Sequence, residues 1–279
     1  MIPAPFAFAR ADSADAALAA LAEHGDEAKL IAGGHSLLPL MKLRLATPAV
    51  LIDINDVDGL DEIREEGDEI VIGSLVRHSA VVRSPIVRSH VPLLAATASA
   101  VGDPQVRHRG TFAGSLAHGD PAADLPAAFL ALRGSVEVRS ATGSRRIPAD
   151  DFFLGFLETA LAPDELITGV RLPKCTGAGW GFEKFTHRAQ DWAIVGVAAV
   201  GGSRPGVALV NMGGRPIRAT ATEAAFAAGD SVADASMLAD QETDPSADRN
   251  ASAEYRRHLA RVLTRRALAD VAARDAARP

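Results

Sequence analysis

Two short stretches of small and hydroxyl-bearing residues are the parts of this sequence best suited to binding a ligand. The first consists of Ala32, Gly33, Gly34, His35, Ser36 and Leu37, directly after a predicted strand. Adjacent glycines let the backbone approach a bulky anion, and successive N–H groups can then point at it. The stretch lacks the Gly-Lys-Ser/Thr ending of a Walker loop and the G-x-G-x-x-G spacing of a dinucleotide fold. Taken alone, it is better explained as a plain tight turn.

A second stretch reads Thr-Phe-Ala-Gly-Ser and supplies Thr111, Ala113, Gly114 and Ser115. Donors from two such loops satisfy more phosphate oxygens than donors from one, so the pair predicts a clamp on a pyrophosphate group. Arg107 and Arg109 lie just upstream. They are either phosphate partners or residues that fix the loop or a neighbouring subunit through salt bridges.

Two charged residues are further candidates. Asp124 falls in the first turn of a helix that is predicted to open at Asp120-Pro121. A carboxylate there either gains from the helix dipole or accepts a hydrogen bond from a ligand hydroxyl, such as a ribose or ribityl group. Lys184 is either a surface lysine on a strand or a fixed positive charge that stabilises a reduced, anionic flavin.

Composition excludes several other kinds of chemistry. The 279 residues carry a net charge of -6, which does not suit a nucleic-acid binder. A single cysteine cannot form an internal disulfide or hold an iron–sulfur cluster. The histidines show no metal-ligand spacing, and no serine sits in a G-x-S-x-G elbow. Neither a signal peptide nor an apolar run of membrane-spanning length is evident, so a soluble cytoplasmic protein without a membrane span is expected.

The elements that must position the candidate residues alternate between strand and helix, as in a mixed α/β protein. Strands are predicted at residues 29–31, 49–54, 69–73, 135–139, 165–172, 194–200 and 207–210. Helices are predicted from the Asp12-Ser13 caps to Gly25 and at residues 93–101, 120–132 and 252–273. A loop that contains several glycines is predicted at 102–119, and a mobile loop at 241–250. The arginines of the last helix are predicted to lie largely off its apolar face, as a solvated face rather than a partner contact.

A shift in composition around residues 173–179 predicts a domain boundary. We therefore expect a first domain over residues 1–174, with subdomains at about 1–55 and 56–174. A second domain of sheet and helices is expected over residues 175–279.

Placed end to end, the motifs resemble one family. Four segments are similar to the medium subunit of aerobic carbon monoxide dehydrogenase and its relatives. They are AGGHSLLPLMKLRL, the strand VLIDIN, VGDPQVRHRGTFAGSLAHGDPAADLPAAFLAL and the closing ASAEYRRHLARVLTRRAL. These are the FAD subunits of the xanthine dehydrogenase superfamily, the molybdenum hydroxylases. The resemblance covers nearly the whole chain, and the combination of two loops is more specific than either loop alone.

The resemblance implies an α+β fold of the vanillyl-alcohol-oxidase, or PCMH, type: two α/β subdomains that bind FAD, and a small C-terminal domain. It implies that residues 32–36 and 111–115 hold the FAD pyrophosphate and that Asp124 contacts the cofactor. Leu161 would lie beside the flavin, Lys184 near its polar edge and Trp192 close to it. There are two departures: His35 stands where the family usually has glutamine, and Ala113 adds a methyl group where the family usually has glycine.

The resemblance also implies an electron relay with no catalytic residue or metal ligand on this chain. A large subunit carries the molybdenum cofactor, and a small subunit carries [2Fe–2S] clusters. FAD on this chain passes electrons to a small-molecule acceptor such as quinone or NAD, within an (LMS)2-like assembly. Two alternatives stay open: a stand-alone FAD-dependent oxidoreductase of the same fold, and an assembly protein that has lost FAD. Neither the substrate nor the acceptor follows from the residues.

Overall fold

The N-terminal part of the chain is a small parallel sheet with helices on it. The computed structural model describes residues 1–277. Three parallel strands pair in the order β1-β3-β2, and two helices follow the outer strands: β1 (Ala7–Arg10), α1 (Ala14–His24), β2 (Ala28–Ile31), α2 (Leu37–Lys42) and β3 (Val50–Asp53). The predicted first helix is confirmed, because the Ser13 hydroxyl accepts the Ala16 N–H and Gly25 ends it at φ 53°.

The central part is an antiparallel sheet covered by helices. Five strands pair in the order β4-β5-β10-β6-β7: β4 (Ile63–Glu66), β5 (Glu69–Gly73), β6 (Ser135–Ser140), β7 (Gly143–Pro148) and β10 (Leu166–Pro173). A separate hairpin consists of β8 (Phe153–Gly155) and β9 (Glu158–Thr159). The helices are α3 (His78–Arg83), α4 (Pro85–His90), α5 (Pro92–Ser99), α6 (Pro104–Arg109), α7 (Phe112–His118), α8 (Asp124–Ala131) and α9 (Ala149–Phe152).

The C-terminal part is an antiparallel meander followed by three helices. It comprises β11 (Trp180–Phe185), β12 (Val195–Val200), β13 (Gly206–Val210), β14 (Ile217–Arg218), α10 (Thr220–Ala227), α11 (Val232–Ser236) and α12 (Ala253–Ala276). Every residue of β12 and β13 is buried, because α8 contacts these strands and α12 also contacts β12. Alternate residues consequently enter different cores: Ala198 joins the main core, and Val197 joins the C-terminal one.

Three sequence predictions need correction. The loop predicted over residues 102–119 contains α6 and α7, because Asp103 and Thr111 each accept a backbone N–H three residues ahead and so cap a helix. The helix predicted to open at Asp120 begins at Asp124, because Asp120 instead accepts the Ala122 N–H in a turn. Arg256 is buried rather than solvated, since it pairs with Asp248 at 2.8 Å.

Residues 241–250 form no helix or strand, as predicted for a loop. None of the helices within residues 1–277 is both long and apolar enough to cross a membrane.

Glycines let α8 and α12 lie directly on the C-terminal sheet. A Cβ atom on Gly206 would lie 2.0 Å from the Ala131 carbonyl oxygen at the end of α8. One on Gly181 would lie 2.3 Å from the Ala267 carbonyl oxygen in α12. Backbone therefore meets backbone on both faces, and neither contact leaves room for a methyl group.

Gly181→Ala is expected to lower the free energy of unfolding by about 1–3 kcal/mol, because the added methyl must displace α12 from β11. Urea-induced unfolding measures the change. Gly214→Ala is the matched control, since no atom lies within 4 Å of a Cβ atom built at that position. Equal stability of the two variants would contradict this account of the helix–sheet contact.

Candidate functional site

The first predicted loop leaves β2 and presents unpaired backbone donors. No atom among residues 1–277 accepts a hydrogen bond from the backbone N–H groups of residues 33–36. Gly34 adopts φ +74°, which turns the chain between β2 and α2. His35 is exposed, Ser36 is half-buried, and Leu37 opens α2. A run of free N–H groups around a left-handed glycine is suited to an anion.

The structure brings this loop into contact with the second one through Gly33. A Cβ atom at Gly33 would lie 2.4 Å from the carbonyl oxygen of Arg109 and 2.9 Å from the Cα of Gly110. Only glycine allows two backbones to approach so closely. Gly33 is therefore required for the two loops to meet, in addition to any role in admitting a ligand.

The second loop is the capped start of α7. The Thr111 hydroxyl accepts the Gly114 N–H at 3.1 Å, and a Cβ atom on Gly114 would lie 2.5 Å from that hydroxyl. Gly114 is exposed and Ser115 is half-buried. Ala113 is 2% exposed and packs in the main core, so its extra methyl group is accommodated there.

Of the two upstream arginines, Arg107 fixes the loop. Its Nη1 donates to the carbonyl oxygens of Val101 at 2.9 Å and Gly102 at 3.1 Å. Arg109 contributes its carbonyl oxygen to the contact with Gly33, and its side chain is in no ion pair within residues 1–277.

Asp124 and Lys184 form a buried ion pair. Lys184 Nζ lies 2.7 Å from Asp124 Oδ2 and donates to the Ala100 carbonyl oxygen at 3.1 Å. The two side chains are 6% and 11% exposed, so the reading of Lys184 as a surface lysine is wrong. Burial raises the pKa of Asp124 to about 6, against the opposing effect of the lysine charge. Its Oδ1 atom is buried without a hydrogen-bond partner among the described residues, and such an oxygen is suited to a ligand hydroxyl.

Leu161 and Trp192 are the remaining two predicted site residues. Leu161 follows β9 and packs, partly buried, against the main core. Trp192 lies in the loop between β11 and β12 and is 62% exposed. Within the described part of the chain, neither side chain is joined to the two loops by a hydrogen bond or a ring contact.

His78 is a residue at the site that sequence reasoning missed. Its N–H donates to the Gly110 carbonyl oxygen at 2.9 Å, and a Cβ atom on Gly110 would lie 2.6 Å from its Nε2. The imidazole ring therefore packs against Gly110, at the start of the second loop. Burial, together with the positive charges of His35, Arg107 and Arg77, lowers its pKa to about 4. Neither its spacing nor its neighbours in the sequence distinguish it from the other histidines.

The residues present fit FAD. Free N–H groups and hydroxyls suit the pyrophosphate, and the unpartnered Asp124 oxygen suits a hydroxyl of the ribityl or ribose part. The class that the fold and the site define is thus a protein that binds a nucleotide-type cofactor such as FAD.

Comparison with known proteins identifies the family. Residues 4–175 match the FAD binding domain in molybdopterin dehydrogenase, and residues 180–271 match the CO dehydrogenase flavoprotein C-terminal domain. The chain is 45% identical to the carbon monoxide dehydrogenase medium chain of Hydrogenophaga pseudoflava over 72% of this chain and 70% of that one. It is 39% identical to the nicotine 6-hydroxylase medium subunit of Paenarthrobacter nicotinovorans over 89% and 91% of the two chains.

Solved structures agree with these matches. Carbon monoxide dehydrogenase from Hydrogenophaga pseudoflava superposes with a TM-score of 0.95 at 40% identity, covering 98% of this chain and 99% of that one. Quinoline 2-oxidoreductase from Pseudomonas putida 86 superposes with a TM-score of 0.90 at 30% identity, covering 99% of both chains. The chain belongs to the FAD-binding medium subunits of the molybdenum hydroxylase family. The predicted fold class, the family and the FAD cofactor are confirmed.

The low pKa of His78 makes the stability of the FAD-free chain depend on pH. Because the folded-state pKa of about 4 lies below the ordinary 6.5, the unfolded chain takes up the proton first as pH falls. Between pH 6.5 and 4, His78 is expected to remove about 3 kcal/mol from the free energy of unfolding. Urea unfolding across this range should show that loss in the unchanged chain relative to His78→Gln. His108→Gln, which alters an exposed histidine, is the control and should retain the loss.

Proposed function

We propose that this chain relays electrons, through FAD, from the iron–sulfur clusters of a partner subunit to an external acceptor such as quinone or NAD. The observation that carries the proposal is the convergence of two anion-suited loops in a chain of this family. When bound, FAD supplies the redox chemistry: it takes up electrons one at a time and delivers a pair.

The two loops divide the work of binding the pyrophosphate. The N–H groups of residues 33–36 donate to it from one side, and Ser36 adds a hydroxyl. From the other side, the half-buried Ser115 would offer its hydroxyl, while Thr111 accepts the Gly114 and Ser115 N–H groups and so holds the turn in shape. Proposed site residues in and beside the loops are Ala32, Gly33, Gly34, His35, Ser36, Leu37, Thr111, Ala113, Gly114 and Ser115.

The Asp124–Lys184 ion pair would hold a hydroxyl of FAD and favour negative charge on it. Asp124 Oδ1 accepts a hydrogen bond from a cofactor hydroxyl, and Lys184 keeps that carboxylate ionised in a buried position. The fixed lysine charge also favours added negative charge nearby. Leu161 and Trp192 are proposed to border the flavin, although the described contacts do not link them to the loops.

Substrate oxidation is proposed to take place on partner subunits. The chain has one cysteine, Cys175, and an iron–sulfur cluster needs several thiolates. Burial raises the pKa of the Cys175 thiol to about 11, and its Sγ donates to the His90 carbonyl oxygen, which is the environment of a structural thiol. Relatives named as medium chains or medium subunits support larger and smaller partners, which we propose to be a large molybdenum subunit and a small [2Fe–2S] subunit in an (LMS)2-like assembly. Residues 1–174 and 175–279 are proposed as the two domains of this chain.

Reconstitution tests the relay. The purified chain loaded with FAD should show no turnover of an organic substrate, whereas adding the large and small subunits should permit flavin reduction at 450 nm by that substrate. Omitting only the small subunit should abolish the reduction, because it carries the proposed electron donors. Steady substrate turnover by the isolated chain would instead support a stand-alone oxidoreductase and overturn the relay.

Asp124→Asn should weaken FAD binding by about tenfold to a hundredfold, because a neutral amide replaces the charged acceptor of the hydrogen bond. Titration of the FAD-free chain by flavin fluorescence gives the dissociation constant. Glu223→Gln is the matched control: Glu223 is also a buried, ion-paired carboxylate, but it lies on α10 against Arg133 and Arg218. Loss of FAD affinity in the control and not in Asp124→Asn would contradict the assignment.

A further inference from the structure

A continuous chain of polar side chains connects the two loops. Asn55 Nδ2 donates to the carbonyl oxygen of Ala32 at 2.9 Å and to Asp53 Oδ1 at 2.5 Å. Asn55 Oδ1 accepts from Arg77 Nη2 at 2.5 Å. Arg77 Nη1 in turn donates to the carbonyl oxygen of Arg109 at 2.5 Å. The chain of hydrogen bonds thus runs from Ala32, the first residue of the first loop, to Arg109, two residues before the second.

The residue types suit this bridge. The Asn55 amide donates and accepts at the same time, which neither a carboxylate nor an apolar side chain can do. The Arg77 guanidinium is a rigid, planar fork, so that two of its nitrogens reach two separate acceptors. Its acceptor on Arg109 is the same carbonyl oxygen against which Gly33 packs. The hydrogen bond from Arg77 and the close approach of Gly33 therefore share one oxygen atom.

Arg77 is itself fixed to the second loop by its backbone. It forms an isolated antiparallel bridge with Thr111, and the flanking N–H groups of His78 and Phe112 complete the pairing with Gly110 and Val76. Its side chain is the part that reaches towards the first loop. The position of the first loop relative to the second thus depends on the Arg77–Asn55 hydrogen bond and on the Gly33 contact.

Arg77 feels the negative charges of Asp53 and Asp61 but is not directly paired with either carboxylate. Among residues 1–277, its guanidinium takes part in no salt bridge, and its two acceptors are neutral oxygens. A partly buried positive charge beside the free N–H groups of the first loop favours a nearby anion.

We propose that Arg77 and Asn55 are positioning residues that hold the two loops in the separation FAD requires before FAD arrives. Binding then costs less free energy, because the loops need not be ordered by the ligand. The inference goes beyond the electron relay, since it concerns the assembly of the FAD site and holds whichever donor and acceptor the complex uses.

Flavin fluorescence titration of the FAD-free full chain tests the proposal. Arg77→Ala should raise the FAD dissociation constant by about tenfold to a hundredfold. Arg83→Ala is the matched control, because Arg83 ends the same short helix that Arg77 caps, is exposed and is in no ion pair within residues 1–277. It removes the same charge and should leave the constant within about twofold.

Two further variants separate positioning from charge and from stability. Arg77→Lys keeps the charge but not the fork, so it should still bind FAD more weakly than the unchanged chain. Asn55→Ala breaks the same bridge, and the Arg77→Ala/Asn55→Ala double variant should therefore be little weaker than the worse single variant. Urea unfolding of the FAD-free chains gives the accompanying change in stability. If Arg77→Ala does not fold, Arg77→Lys and Asn55→Ala carry the test.

Three results would overturn the proposal. One is full FAD affinity in Arg77→Lys, which would leave no role for the fork. Another is an effect of Arg77→Ala no larger than that of Arg83→Ala. The third is a double variant whose loss is the product of the single losses, because independent effects would mean that the two residues do not act through one bridge.

Discussion

The approach of Gly33 to the Arg109 carbonyl oxygen is the contact on which the site depends. The first loop follows β2 of the N-terminal sheet, whereas the second begins helix α7 of the central part. Bringing two backbones within van der Waals distance requires the absence of a side chain at one position. His78 beneath Gly110 and the bridge through Arg77 then keep the second loop at that distance.

Helix α8 connects this site to the rest of the molecule. It lies between the central core and the C-terminal sheet, and all eight of its residues are buried. Asp124 is its first residue, so the site's unpartnered carboxylate oxygen stands at the end of the most enclosed helix of this region. The free energy that an ionised carboxylate costs there is offset by Lys184 from β11.

Local signals in the sequence predicted what depends on local structure. Ser13 and Gly25 delimit α1 because caps act within one turn, and the Gly33-Gly34 pair marks a loop because φ and crowding are local properties. The family resemblance added the fold and the cofactor. Short helices α6 and α7 were missed because six or seven residues carry little periodicity. The burial of Arg256 depends on Asp248 and on the Ile194 carbonyl oxygen, which no spacing rule connects.

The Asp124–Lys184 pair joins segments that match two separate family models, residues 4–175 and 180–271. Each segment therefore carries a buried charge that is acceptable only in the presence of the other. In a chimera that takes its C-terminal segment from a relative, the Asp124 carboxylate is compensated only if that relative supplies a cation at the corresponding strand position. The two segments match separate sequence patterns, but the buried ion pair means that neither can be exchanged without regard to the charge on the other.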